Sequence, residues 1–342
     1  MLFIDELVRF AATLDDQWHS PIADSAAERW YLQRPVFVRS SASHVFVARA
    51  KAEVDGPRVV LRMRPDSAAA GGVLERGTAA ARGWSRAGAP FADAVPSTSG
   101  RLLERVDGYV VTALAAVEGN SLEESGVDCA AAGQWGATLA RLHRAEVTSL
   151  PPYLPATEEF VTGDGLGPEL ATVARRVRDA LGTLPRQAGV RGVLHGDPEP
   201  DNVVVSPAGM VLVDPDDVRV GWFISDIAFA LRDWADASGR LDWSHGIPAA
   251  FLDGYRAIRP VSVEELAWVP LLTAAAALED LSALQPHVQR TAQDEWPDWA
   301  TALDTRIRAR AARLDSMLRS SGWAGAGSNR RPSAFQADAR TD

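Results

Sequence analysis

Apolar residues recur with two different periods along this chain, and the change of period marks its organisation. In residues 2–18, Leu7, Phe10, Ala11 and Leu14 fall at helical spacing, which predicts an amphipathic opening helix. From Pro35 the pattern shortens. The runs PVFVRSS, HVFVARAKAEV and RVVLRMR alternate or cluster β-branched residues, with Asp55-Gly56-Pro57 as a turn, and predict an antiparallel sheet. A helix is predicted over Val73–Ala87, closed by Gly88 and Pro90. Leu102–Glu104 and Tyr109–Thr112 read as a hairpin across Asp107-Gly108. Beyond about residue 113 helical spacing dominates, over Cys129–Arg144, Gly167–Leu181, Ala249–Ile258, Val263–Gln285 and Trp299–Leu318. One short β segment, residues 203–213, interrupts them. A strand-rich first portion followed by a helical one predicts an α+β protein in two lobes, residues 1–113 and 114–322. The unpatterned residues 323–342 are expected to be a disordered tail.

Composition narrows the class without naming a function. The 342 residues carry 35 Lys and Arg against 45 Asp and Glu, a formal charge of −10. That balance argues against a nucleic-acid partner and suits a cationic substrate. A single cysteine, Cys129, excludes an internal disulfide and a cysteine-built zinc site. Apolar runs fall short of a membrane span, and the acidic start MLFIDELVRF differs from a secretory signal, so a cytoplasmic protein without a membrane partner is expected. Oligomeric state leaves no mark in the sequence. Glu279, Asp280, Asp294, Glu295 and Asp298 read as a solvated helix face, with a pocket for a cationic acceptor as the alternative.

Chemistry concentrates in Gly192–Trp234. His195-Gly196-Asp197 is followed by Asn202, a strand, the turn Ser206-Pro207-Ala208-Gly209, a returning strand and Asp214. Antiparallel pairing about that turn places Asn202 and Asp214 within about one residue of facing each other. Their oxygens are hard ligands suited to Mg²⁺ bound together with substrate phosphates. Asp197, on the loop leading to the same end, can orient a hydroxyl and accept its proton during attack on a phosphoryl group. His195 reads as a structural histidine bonded to backbone in this loop. Asp216 and Asp217 are either ligands of a second metal or substrate, or solvent-facing loop carboxylates.

The spacing H-G-D-x4-N, hairpin, Asp resembles the aminoglycoside phosphotransferase family, and the continuation DPDD…GWFISDIAFAL resembles its homoserine-kinase-like and choline-kinase-like branch. The resemblance implies a bilobal protein-kinase-like fold, with a small antiparallel-sheet lobe and a mainly helical one. It implies Asp197 as the catalytic residue, Asn202 and Asp214 as metal ligands, and Asp226 as a buried brace of the catalytic loop. Ser40, Ser41 and Ser43 would form a serine-rich phosphate loop, Arg62 would grip phosphate, and backbone groups near Ala113 would meet a purine. The helix acid that would pair with Arg62 has no clear counterpart: Glu75 is nearest, but the family register falls closer to Gly77. Pro215 and Glu199 depart from the family pattern without removing a catalytic atom.

The expected activity is therefore transfer of the γ-phosphate of ATP, or of GTP in its place, to a hydroxyl of a small molecule, with Mg²⁺. An aminoglycoside-like antibiotic and a small amino alcohol are the acceptor classes considered. A protein Ser/Thr kinase of the same fold is an alternative, although only eleven residues between Asp214 and Asp226 leave little platform for a peptide. A non-catalytic nucleotide-binding scaffold is the third reading.

Overall fold

The computed structural model describes residues 1–51, 56–147, 151, 153–236, 239–290 and 296–323. Two helices, α1 (Ile4–Ala11) and α2 (Pro21–Glu28), precede strands β1 (Val36–Ser40), β2 (His44–Arg49) and β3 (Arg58–Pro65). Then come α3 (Ala68–Arg86), β4 (Leu103–Val106), β5 (Tyr109–Ala115), β6 (Asn120–Ser121), α4 (Leu122–Ser125) and α5 (Cys129–Arg144). The rest comprises α6 (Pro168–Leu181), β7 (Arg191–Leu194), β8 (Val203–Ser206), β9 (Gly209–Leu212), β10 (Arg219–Trp222) and α7 (Phe223–Ala230). Four more helices close the order: α8 (Gly246–Arg256), α9 (Val263–Ala267), α10 (Val269–Val288) and α11 (Asp298–Ser320). The fold is α+β. Among the described residues, no helix is long and apolar enough to cross a membrane.

The chain divides into two compact units. The first holds residues 1–127, 138–154 and 195–218. Its antiparallel sheet runs β1-β2-β3-β5-β4, and its core joins Phe46, Leu61, Met63 and Val111 to Phe10, Ala26 and Trp30 from the opening segment. Asp107 and Gly108 both take positive φ (49° and 80°), the backbone a two-residue hairpin turn with right-handed strand twist demands. A second sheet, β6-β8-β9, belongs to this unit. The hairpin therefore groups with the N-terminal sheet, although a boundary at residue 113 would assign it to the later portion.

The second unit holds residues 128–137, 155–194 and 219 onward. Its strands β7 and β10 pair antiparallel, Arg191 opposite Trp222 and Leu194 opposite Arg219. Apolar α10 is buried over most of its length, packing on α6, α7 and α11. Trp135 meets Phe251 edge-on at 4.9 Å in the same unit.

Several elements differ from expectation. The opening helix ends at Ala11, and a separate α2 starts on Pro21, whose fixed φ and missing N–H suit a first helical turn. Helix α3 begins at Ala68 rather than Val73, because the Ser67 hydroxyl caps it by accepting the Ala70 N–H at 3.1 Å. The stretch 263–285 breaks at Trp268, ahead of Pro270, into α9 and α10. The β segment at 203–213 has company in the later part of the chain, in β6, β7 and β10. Asp55, Asp294, Glu295 and tail residues 324–342 lie outside the described residues.

Candidate active site

The site is built on the β8–β9 hairpin. Ser206 closes its turn by donating to the Gly209 carbonyl at 2.7 Å, and the register pairs Val203 with Leu212. At the open end Val213 N–H donates to the Asn202 carbonyl at 3.0 Å, so Asp214 lies one residue beyond the position opposite Asn202. Asn202 is buried in a 3₁₀ turn. Its Nδ2 donates both to the Asp197 carbonyl at 2.9 Å and to Asp197 Oδ2 at 3.0 Å. Those two bonds hold the Asp197 carboxylate against the mouth of the hairpin and leave the carboxamide oxygen outside that contact.

His195 supports this loop through both ring nitrogens. Nε2 donates to the Val213 carbonyl at 2.9 Å, and Nδ1 accepts the Asp197 N–H at 3.3 Å, which specifies the Nε2–H tautomer. The ring is fully buried and near-parallel to Trp84. Gly196 has φ +89°, and a Cβ there would fall 2.0 Å from the Asp217 carbonyl oxygen, so this tight turn admits only glycine.

Asp214 itself occupies the left-handed region (φ 59°), uncommon for a residue with a Cβ and a form of strain that clusters at functional sites. Arg62 of β3 forks between two carboxylates: Nη2 donates to Asp214 Oδ1 at 2.6 Å, and Nη1 to Asp216 Oδ1 at 2.7 Å. Arg64, two residues on and hence on the same strand face, bonds Asp216 through Nη2 and Ser43 Oγ through Nε, the latter at 2.9 Å. A continuous chain of contacts thus runs Ser43–Arg64–Asp216–Arg62–Asp214. Burial opposes charge on Arg62, but Asp214 and Asp216 outweigh it and hold the guanidinium above its ordinary pKa. Burial likewise pushes Asp216 up, yet Arg62 and Arg64 prevail and keep it below the usual carboxylate range. For Asp214, burial wins over Arg62, and Asp216 and Asp217 add repulsion, so its pKa is raised.

The structure links Asp197, Asn202, Asp214, Arg62 and Ser43 through one run of contacts. The Ser40 hydroxyl pairs with His44 Nδ1 at 2.7 Å. Ser41 N–H donates to the Ser43 carbonyl at 3.1 Å, folding the serine loop on itself. Arg39, at the start of that loop, meets Asp201 at 3.4 Å. The Ala113 carbonyl accepts the Val95 N–H at 2.9 Å and Ala115 N–H donates to Asp93 at 2.8 Å, so the strand edge proposed for a purine is covered by residues 93–95. Asp226 is buried on α7, in the second unit. Glu75 is exposed, and Gly77 stands against Pro215, so no α3 acid partners Arg62. Asp216 is not a solvent-facing carboxylate, whereas Asp217 is exposed. Sequence reading passed over Arg64. Its signal was the alternation Arg62-Met63-Arg64, which puts two guanidiniums on one face of a strand.

Residues 37–261, well over half of the chain, match the family of phosphotransferase enzymes called APH. The chain belongs to that family. Among curated relatives, a homoserine kinase of Beijerinckia indica is 30% identical over 206 residues, 57% of this chain and 63% of its own length. This chain thus spans less than two thirds of that relative. A homoserine kinase of Polaromonas naphthalenivorans is 28% identical over 235 residues, 58% of this chain and 71% of its own length. The fold is shared with solved phosphotransferase structures. Amicoumacin kinase hAmiN, in complex with AMP-PNP, Ca²⁺ and Ami, aligns with a TM-score of 0.67 at 17% identity, covering 90% of this chain and 96% of its own. A microcompartment-associated aminopropanol kinase aligns at 0.61 and 19% identity, covering 87% and 97%.

Proposed function

We propose that this APH-family chain transfers the γ-phosphate of ATP to a hydroxyl group of a small molecule. The carrying observation is the Asn202 carboxamide: by donating twice to Asp197 it orients a carboxylate at the hairpin mouth, where Asp214 lies one residue beyond the position opposite Asn202. In the reaction the acceptor oxygen forms a bond to the γ-phosphorus while the bond from that phosphorus to the β–γ bridging oxygen breaks. The hydroxyl proton passes to the Asp197 carboxylate, and ADP leaves. The protein contributes position and electrostatic complementarity more than covalent chemistry.

The donor set fits a hard divalent cation such as Mg²⁺. The Asn202 carboxamide oxygen and the Asp214 carboxylate would hold it, and when bound it neutralises charge on the transferring phosphate. Arg62 would act on the nucleotide phosphates from its place against Asp214, and Ser43 would hold the neighbouring Arg64. Between the two acceptor classes, an amino alcohol is favoured over an aminoglycoside. The similarity to homoserine kinases supports it. In addition, Glu279 and Asp280, which would recommend a polycationic acceptor, are engaged by Arg219 and Arg310 at 2.6 Å each.

A panel of homoserine, choline, aminopropanol and aminoglycosides, read by ADP release, tests the reading. Wild type should turn over an amino alcohol, and Asp197→Ala should abolish transfer while nucleotide binding survives. An active Asp197→Ala enzyme alongside an inactive Asp214→Ala one would overturn the assignment of roles.

A further inference from the structure

The kinase reading assigns one cation, Arg62, to the nucleotide phosphates, but the geometry supplies two and ties them to a common carboxylate. Arg62 is the more committed: its side chain is 4% exposed and both terminal nitrogens are engaged by Asp214 and Asp216. Arg64 stands further out at 15% exposure, with Nε on the Ser43 hydroxyl and Nη2 on Asp216, so its Nη1 takes no part in these bonds. Asp216 receives both arginines and is itself nearly inaccessible. Gly77, the α3 position nearest the expected helix acid, leaves no room for a side chain, because a Cβ there would lie 2.4 Å from the Pro215 carbonyl oxygen.

Resting on the kinase reading, we propose that Arg64 is a second residue that binds the nucleotide's phosphates, and that Asp216 is the positioning residue for the arginine pair, doing from the hairpin side what a helix carboxylate would otherwise do. The fork geometry of a guanidinium suits this division. Two nitrogens can be spent on Ser43 and Asp216 while a third remains for a phosphate oxygen. The bond to Ser43 also fixes Arg64 beside the serine loop, so loop and cation present one surface to a polyphosphate. Asp216 is thereby assigned to the arginines and not to a second metal.

Calorimetric titration of the full chain with ATP and with adenosine, in wild type and in Arg64→Gln, tests the proposal. Loss of a charge-assisted phosphate contact should weaken ATP binding by about tenfold or more and leave adenosine affinity unchanged. Equal weakening of both ligands, or an unchanged ATP affinity, overturns the role of Arg64. The same pair of titrations in an Asp216→Asn background tests the anchor. The factor lost on Arg64→Gln should shrink at least about threefold there, because contacting residues couple; an identical factor in both backgrounds refutes positioning by Asp216. Mn²⁺ binding, followed by electron paramagnetic resonance in the presence of ATP, should survive Asp216→Asn, and its loss would make Asp216 a metal ligand instead. A wild type that binds no ATP defeats the kinase reading itself, which separates that failure from failure of the Arg64 assignment.

Discussion

Gly77 of α3 approaches Pro215 so closely that a Cβ at residue 77 would lie 2.4 Å from the Pro215 carbonyl oxygen. The helix and the segment after the hairpin thus meet backbone to backbone, beside the Asp214–Asp216 carboxylates. Gly77→Ala should force the two apart and destabilise the protein by about 1–3 kcal/mol, as overpacking does, even though Ala favours a helix interior by about 1 kcal/mol. Gly72→Ala is the control, because its Cβ would meet only the flexible Arg76 guanidinium, at 3.2 Å. Thermal melts of the two variants should move in opposite directions or differ by several degrees. A stabilised Gly77→Ala protein would show that the close contact is not made.

Asn202→Asp should be more damaging than its single-atom change suggests. The amide nitrogen that donates to the Asp197 carbonyl and Oδ2 becomes an oxygen, and two acceptors then face each other at about the same spacing. The Asp197 carboxylate loses its orientation as well as a bond. Phosphate transfer should fall by roughly a hundredfold or more, measured as ADP release with the acceptor that wild type turns over, since a loss of about 3 kcal/mol of positioning is a factor of that size. Retention of more than a tenth of the activity would show that Asn202 does not set Asp197.

How much of this site the sequence disclosed depends on the range of each contact. The hairpin carrying Asn202 and Asp214 was legible because its turn, register and flanking strands all lie within residues 202–214, and the Asp107-Gly108 turn was legible for the same local reason. Strands β7 and β10 were not. Each has only four residues with a glycine inside, and their pairing joins residue 191 to residue 222. Those glycines answer to tertiary neighbours, Gly192 to the Phe223 ring and Gly221 to the Thr157 hydroxyl, which no local pattern encodes. The partner of Arg62 was hidden similarly. Asp216 follows the hairpin as one of two adjacent acids, and only folding separates it, buried on two arginines, from exposed Asp217.

His44 makes the first unit sensitive to acid. Its ring stacks on Phe10 of α1 at 3.6 Å between centroids, with Ser40 on Nδ1 and Glu6 on Nε2, while Tyr109 of β5 donates to the same Glu6 oxygen. Burial lowers its pKa to about 4, against the pull of Glu6. The folded state therefore keeps His44 neutral where the unfolded chain, titrating near 6.5, takes up a proton. Its contribution is complete above pH about 6.5 and lost progressively down to about 4, on the order of 3 kcal/mol in all. Urea unfolding between pH 7 and 4 should show a shallower loss of stability in His44→Gln than in wild type. Equal slopes would mean that His44 is not held neutral.

In the second unit two ion pairs of equal length should differ in worth. Arg219 meets Glu279 at 2.6 Å with side-chain exposures of 5% and 21%, and its guanidinium lies over the Phe160 ring at 4.1 Å. Arg310 meets Asp280 also at 2.6 Å, but with exposures of 42% and 24%. Water screens the second pair, so Asp280→Ala should cost about 1 kcal/mol or less. Glu279→Ala removes an acid 2.6 Å from a largely buried guanidinium and should cost about 3 kcal/mol, because a pair shielded from water is screened far less than an exposed one. Replacing both partners, Arg219→Met with Glu279→Leu, should recover part of that loss by removing the charge altogether. Chemical unfolding of the three variants orders them as Glu279→Ala, then the double replacement, then Asp280→Ala in decreasing damage. A Glu279→Ala protein no less stable than Asp280→Ala would show that burial of Arg219 does not set the strength of its pair.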